Sequence, residues 1–223
     1  MISKRLKTVA DMVTEGYRVA DIGTDHGYVP IYLIKENKVP YAYAMDINEG
    51  PIRSAIANVE NEGFEDKIEV IQSNGMEKLR DGMAQSVVIA GMGGELIVEI
   101  LKNSPVINTI EELILSPHRD NDIVRKYLHL INWKISEEKM LIDGGKYYTI
   151  IKAVSGVEQP YSSIEYEYGK LLIEEKNNIL KQYIDKEYDK YNTIFSKMEN
   201  SLDESKEKVS SIIKKLEQVK SLL

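Results

Sequence analysis

At 223 residues, 43% apolar and 29% charged, the chain has an ordinary globular composition with room for one large α/β unit and an appendage. The absence of cysteine excludes disulfides, thiolate metal sites and a cysteine nucleophile, and three histidines leave little for a metal cluster, so no metal is expected. A formal charge of −7 means that any nucleic-acid contact must come from local basic patches, and no run reaches a signal peptide or the ~18 apolar residues of a membrane span, so a cytoplasmic protein without a membrane partner is expected.

From residue 17 to 155, short β-branched runs alternate with amphipathic stretches: YRVADIG, YAYAMDI, IEVIQ, AQSVVIAG and ELILSP, each followed by a helical pattern. That rhythm predicts a parallel sheet with helices on both faces. WKISEEKMLIDGG and KYYTIIKAVS then follow with only a Gly-Gly turn between them, so they must pair antiparallel. Five parallel strands closed by a hairpin outline the class I, S-adenosylmethionine-dependent methyltransferase fold, a Rossmann-like α/β domain with a seven-stranded sheet. A dinucleotide dehydrogenase would continue with parallel units.

From about Ser163 the sequence turns to Glu, Lys, Tyr and Leu with almost no glycine or proline. Leu180, Ile184, Tyr191, Ile194 and Met198 share one helical face, and Val209, Ile212, Leu216, Val219 and Leu223 keep a 3,4 spacing on another. Caps and a turn are expected in NSLDES between them. The expected division is a methyltransferase domain over residues 1–160 and a C-terminal antiparallel coiled coil over 161–223. With 11 Lys against 12 acids, residues 163–223 are not a basic arm; Lys170, Lys181, Lys190 and Lys197 are the candidates for a face toward RNA.

The stretch VADIGTDHGYVP carries the first chemistry. Asp21 lies in the first strand, Gly23 ends it, and a helix expected from near His26 turns its free N–H groups toward a ligand. The glycines are Gly23 and Gly27, with Asp25 where a dinucleotide fingerprint needs its second glycine, and no G-K-[ST] follows. An acid in that turn disfavours a phosphate and suits a cation, so Asp21 and Asp25 make electrostatic sense for the sulfonium and ammonium of S-adenosylmethionine. Asp46 ends the second strand, where an acid accepts both ribose hydroxyls. The alternative is that these strand-end acids only cap the helices that follow. QSNGMEKL places Asn74 and Gly75 where many methyltransferases bind the adenine ring, and IAGMGGEL places Ala90 and Gly91 where backbone can approach a ligand or simply turn.

DIGTDHGYVP, DINEGP at 46–51, IAGMGG at 89–94 and DGGKYYTII at 143–151, followed by the helical C-terminus, resemble the bacterial TrmK family. Its members are tRNA adenine N1-methyltransferases that modify adenine 22 and join a Rossmann-like domain to a coiled coil. The resemblance implies cofactor contacts at Gly23, Asp25, Asp46, Asn74 and the Ala90–Gly91 backbone, flanked by Thr24, His26, Ile47 and Gly75. It also implies an active site bordered by Asp25, Tyr28 and Met92. Asn74 stands where an acid is commoner, and Ser116-Pro117-His118 departs from the Gln-Pro-Asn found in some members.

The residues fit N1 rather than N6 transfer, because the N-P-P-[YF] segment used to orient the exocyclic amine is absent after the fourth strand. N1 has a free lone pair that only needs alignment and dryness. Asp25 would stabilise the charge gained by the base or take up an N6 proton, and Tyr28 would stack on a base turned out of the RNA. Phosphate contacts are expected from Lys4, Arg5 and Lys7, with Lys4 and Lys7 on one helical face and Arg5 pointing elsewhere. Arg18, His118, Arg119, Arg125 and Lys126 are further RNA candidates, while His129 reads as structural. A monomer acting on tRNA is the expectation. The competing readings are a small-molecule methyltransferase, which predicts a closed apolar pocket, and a non-catalytic adaptor that binds a protein through its helical hairpin.

Overall fold

The computed structural model describes residues 2–198 and 203–223. All five β-branched runs form parallel strands: β1 (Val19–Ile22), β2 (Ala42–Asp46), β3 (Ile68–Gln72), β4 (Ser86–Ala90) and β5 (Glu112–Ser116). The hairpin β6 (Trp133–Asp143) and β7 (Lys146–Ser155) completes a seven-stranded sheet of order β3-β2-β1-β4-β5-β7-β6. In that sheet β7 lies antiparallel to both β5 and β6. Every residue of β1, β2 and β5 is buried, which is why these strands read as continuous apolar runs rather than alternating ones.

Helices cover the two faces in separate groups. Helices α1 (Lys4–Asp11), α2 (Tyr28–Lys35) and α3 (Glu49–Glu62) cover one face, where Val9, Leu33 and Val59 enter a core with Val19, Ala44 and Ile114. Helices α4 (Gly94–Lys102) and α5 (Asn121–Leu130) bring Ile97, Leu101, Val124 and Leu128 onto the other, against Ile22, Ile89 and Leu113. No helix among the described residues is long and apolar enough to cross a membrane.

The C-terminal part holds more elements than its stripe suggests. Two short helices, α6 (Ser163–Tyr168) and α7 (Lys170–Glu174), precede the long pair α8 (Asn178–Ser196) and α9 (Asp203–Leu222). Ser162 opens α6 with a reciprocal capping box to Glu165. Gly169, at φ +95, breaks α6 from α7. Lys220 bonds Asp185 at 2.6 Å and Tyr188 donates to Glu217 at 3.2 Å, a pairing that runs α9 antiparallel to α8. Leu180, Ile184, Leu216 and Val219 form their buried seam, joined by Leu172 and Ile173 of α7, whereas Ile194 is exposed. The turn expected in NSLDES falls largely outside the described residues.

Arg125 is the main correction to the sequence reading. Proposed there as a phosphate contact, it is fully buried. Its Nε and Nη2 each lie 2.8 Å from Glu138 Oε1, and its Nη1 donates to the carbonyls of Tyr166 and Glu167 at 2.7 and 3.1 Å. Glu138 Oε2 also accepts the Leu171 N–H at 3.2 Å. One ion pair thus ties α5, β6, α6 and α7 together, and any side chain at Gly169 would press into it. His129 is likewise internal, bonded to Tyr166 at 2.9 Å and Glu158 at 2.8 Å.

Removing one member of a buried pair leaves the other charged and unpartnered. Glu138→Ala is expected to lower unfolding free energy by about 3–5 kcal/mol in a urea titration, with cofactor affinity unchanged after refolding at low denaturant. A loss below about 1 kcal/mol would show that the pair does not anchor the appendage.

Candidate active site

The parallel strands end together at one edge of the sheet, and there the chain opens a cavity of about 390 Å³. The cavity draws its lining from α1, from the tips of β1, β2, β4 and β5, and from the start of α2.

The β1 tip sets its geometry. Gly23 and Thr24 both donate their N–H to the Met45 carbonyl, at 2.7 and 3.0 Å, which folds the chain back over β2. Gly23 has φ +74, and a side chain there would overlap Met92. Asp25 follows with φ +54, a left-handed conformation that aspartate tolerates better than most residues. Gly27 is again left-handed, so α2 starts at Tyr28 rather than near His26.

Three carboxylates meet at this turn. Asp21 is buried and accepts the Thr24 hydroxyl at 2.7 Å. Burial pushes its carboxyl up to about 7; the Thr24 hydrogen bond opposes the rise, the Asp46 charge adds to it, and the Arg5 charge works against it. Asp46 is held by backbone: Asn48 N–H donates to one oxygen at 2.9 Å and Asp25 N–H to the other at 3.3 Å. The Asp25 side chain is 69% exposed and lies 3.5 Å from His26 Nε2.

Opposite these acids stand a guanidinium and an imidazole. The Arg5 N–H donates to Asp143 at 2.9 Å, and its guanidinium lies 5.2 Å from the Tyr148 ring centre, so the DGGKYYTII segment positions it. Arg5 Nη1 is buried and has no hydrogen-bond partner among the described residues. His118 packs on Tyr148 and is held over the β4 tip by a 2.8 Å bond from its N–H to the Met92 carbonyl. Burial, followed by the Arg5 charge, lowers the His118 pKa and keeps the ring neutral near pH 7. Gly91, at φ +91, is left-handed, and a side chain there would sit in ordinary contact with Arg5 and His118 while straining the backbone.

The cavity gathers Arg5, Asp21, Gly23, Thr24, Asp25, Tyr28, Asp46, Ala90, Gly91 and His118 from the residues singled out in the sequence. Met92 stands behind Gly23 with its chain packed on the core. His26 lies outside the lining and stacks on Tyr28 with ring centres 5.2 Å apart. Ile47 is exposed at the β2 tip. Asn74 and Gly75 line a narrow neighbouring cleft, where the Asn74 amide nitrogen donates to Glu77 at 2.7 Å and leaves the oxygen as its accepting end. Lys4 is exposed, and Lys7 lies 5.9 Å from the Tyr32 ring centre, so both stand on the outside of α1. Arg119 is exposed beside Asp120. Leu6 and Val29 complete the apolar wall.

Residues 2–151 match the family described as "Methyltransferase domain". Over its full length the chain is 32% identical to the tRNA (adenine(22)-N(1))-methyltransferase of Bacillus subtilis, 97% of which is covered. A Streptococcus pneumoniae structure in complex with S-adenosyl-L-methionine superimposes with a TM-score of 0.90 at 32% identity, covering 99% of this chain and 100% of that one. TrmK of M. capricolum, in complex with S-adenosyl-homocysteine, gives 0.88 at 30% identity, covering 100% and 99%. The chain belongs to the tRNA (adenine(22)-N(1))-methyltransferase family.

Proposed function

We propose that this chain transfers a methyl group from S-adenosylmethionine to N1 of adenine 22 in tRNA. The carrying observation is the cavity above β1 and β2, lined by Asp21, Asp25 and Asp46 together with Arg5, whose Nη1 is buried without a partner among the described residues. The residues fit the cofactor group by group. Asp46, oriented by two backbone N–H groups, keeps lone pairs for a ribose diol. Asp21 and Asp25 match a sulfonium and an ammonium, and the partnerless Nη1 of Arg5 matches the cofactor's carboxylate or an RNA phosphate. Relatives solved with S-adenosyl-L-methionine and with S-adenosyl-homocysteine support the same reading.

When bound, the cofactor supplies an electrophilic methyl group that adenine N1 takes with its lone pair while the carbon–sulfur bond breaks. The protein's work is alignment and charge. Tyr28, 38% exposed at the rim and backed by His26, offers a face on which the target base stacks. Asp25 at the rim would stabilise the positive charge the base acquires or take up an N6 proton. Neutral His118 can accept or donate a hydrogen bond at the base edge without competing for that charge. An exposed Asp25 and a charged wall suit a nucleotide presented by a macromolecule better than the closed apolar pocket of a small-molecule enzyme. All the cavity residues lie between Arg5 and His118, which supports a catalytic unit within residues 1–160 and a separate C-terminal domain. We further propose a cytoplasmic monomer.

Labelled S-adenosylmethionine and unmodified tRNA are expected to give one methyl group, detected as a reverse-transcription stop at adenine 22. Unlabelled tRNA would end this reading. Asp25→Asn, which tolerates the left-handed backbone, is expected to lower kcat about 10²–10³-fold at saturating cofactor. An unchanged kcat would remove Asp25 from the chemistry.

The pH dependence follows from Asp21. Only its carboxylate form attracts a cationic ligand, and that form is lost as pH falls through about 7. Cofactor affinity is therefore expected to weaken by up to roughly tenfold per pH unit below that point and to level off above it. Calorimetry from about pH 6 to 8 on the wild type and Asp21→Asn checks this; a flat wild-type profile, or the same slope in the variant, rejects Asp21 as the titrating group.

A further inference from the structure

A second cavity, of about 420 Å³, lies between the loop after β5, the β6–β7 hairpin and helix α8. His118 is the partition: it lines this cavity and the cofactor cavity alike. The far wall presents Tyr147, Tyr168, Tyr183 and Tyr191, all half-buried. The Tyr147 and Tyr183 rings meet at 5.3 Å and 60°. Burial, reinforced by the Glu187 charge, pushes the Tyr183 hydroxyl up to about 12, so it stays protonated.

The polar part of the lining excludes some ligands. Asp120, Asp122, Glu167 and Glu187 each carry a basic partner, namely Arg119 at 3.3 Å, Lys126 at 2.7 Å, Lys215 at 2.7 Å and Lys190 at 2.9 Å. The wall is therefore a set of neutralised pairs, which neither calls for a free cation nor repels a polynucleotide. One atom is left over. The Asn121 side-chain oxygen is buried and has no hydrogen-bond partner among the described residues, so an occupant that satisfies it must bring a donor, an N–H or an O–H.

We propose that this tyrosine-lined cavity beside His118 receives the base of the nucleotide next to the target adenine, stacked on the tyrosines with a ring or exocyclic N–H on Asn121. The inference rests on the reading of the chain as a tRNA methyltransferase. Turning a base out of the RNA strips its neighbour of one stacking face, and an aromatic pocket directly beyond the partition restores it. The cavity is large enough for a nucleoside. A free nucleoside shares this chemistry, and the test separates the two sources.

The full-length protein with S-adenosyl-homocysteine is titrated with tRNA carrying 2-aminopurine at position 21 or at position 23. One of the two labels is expected to lose at least about half its fluorescence on binding, as stacked 2-aminopurine does. Tyr183→Ala is expected to abolish that change and weaken tRNA binding about tenfold, while Tyr183→Phe keeps both. Asn121→Ala, on the opposite wall, is expected to weaken binding about fivefold with cofactor affinity unchanged. If Tyr183→Ala loses its helical fold, the label and Asn121→Ala decide. The proposal is overturned if neither label responds, if Tyr183→Ala and Asn121→Ala leave signal and affinity unchanged, or if free 2-aminopurine riboside binds as tightly as the labelled tRNA. A wild-type protein that methylates tRNA while the labels stay silent overturns only the second pocket; one that does not methylate tRNA overturns both readings.

Discussion

The cavity exists because the chain reverses its direction of winding beside β1. Strands β1, β2 and β3 are laid down toward one edge, and the chain then returns to place β4 on the other side of β1. Helices α2 and α3 accordingly cover one face, and α4 and α5 the other. At that reversal the helices leave the carboxyl ends of β1 and β4 uncovered, and no side-chain packing across the sheet can fill the gap. The ligand-facing residues sit where this constraint puts them: Gly23 and Asp25 after β1, Asp46 at the end of β2, Ala90 and Gly91 at the end of β4, and His118 after β5.

Placing three acids around one gap is unfavourable without a cation. Burial, with the Asp46 charge adding to it, raises the Asp21 carboxyl to about 7, while Asp46 is held by backbone N–H groups. Arg5 supplies the internal counter-charge, and it reaches the gap only because α1 docks over the β6 tip through Asp143. The hairpin that closes the sheet thus also aims the guanidinium at the β1 turn. A cationic ligand completes the balance, so this charge pattern is itself a specificity device: it favours a sulfonium and an ammonium over the pyrophosphate that the same fold binds when glycine replaces the turn acid.

The sheet was legible because its signals are local. Fully buried parallel strands leave unbroken β-branched runs, and the Gly-Gly turn forces the hairpin whatever surrounds it. The strand-end acids were legible for the same reason, since each sits at a fixed offset from its own strand. Arg125 was misread because its partner, Glu138, faces inward on a strand whose burial depends on α6 and α7. The break at Gly169 and the inward course of Arg5 depend likewise on contacts distant in sequence. The two-residue delay of α2 came from backbone: Asp25 and Gly27 both take left-handed conformations, which no periodicity reveals.

The same long-range contacts bear on what the C-terminal helices do. Four of the eleven lysines between residues 163 and 223 pair with acids of the appendage: Lys170 with Glu174, Lys190 with Glu187, Lys215 with Glu167 and Lys220 with Asp185. Such pairs leave little field to attract RNA at a distance. The Arg125 guanidinium meanwhile holds the Tyr166 and Glu167 carbonyls against α5 and β6, fixing the root of the appendage relative to the sheet. Anchored in this way, the root of the appendage meets its ordering cost in folding.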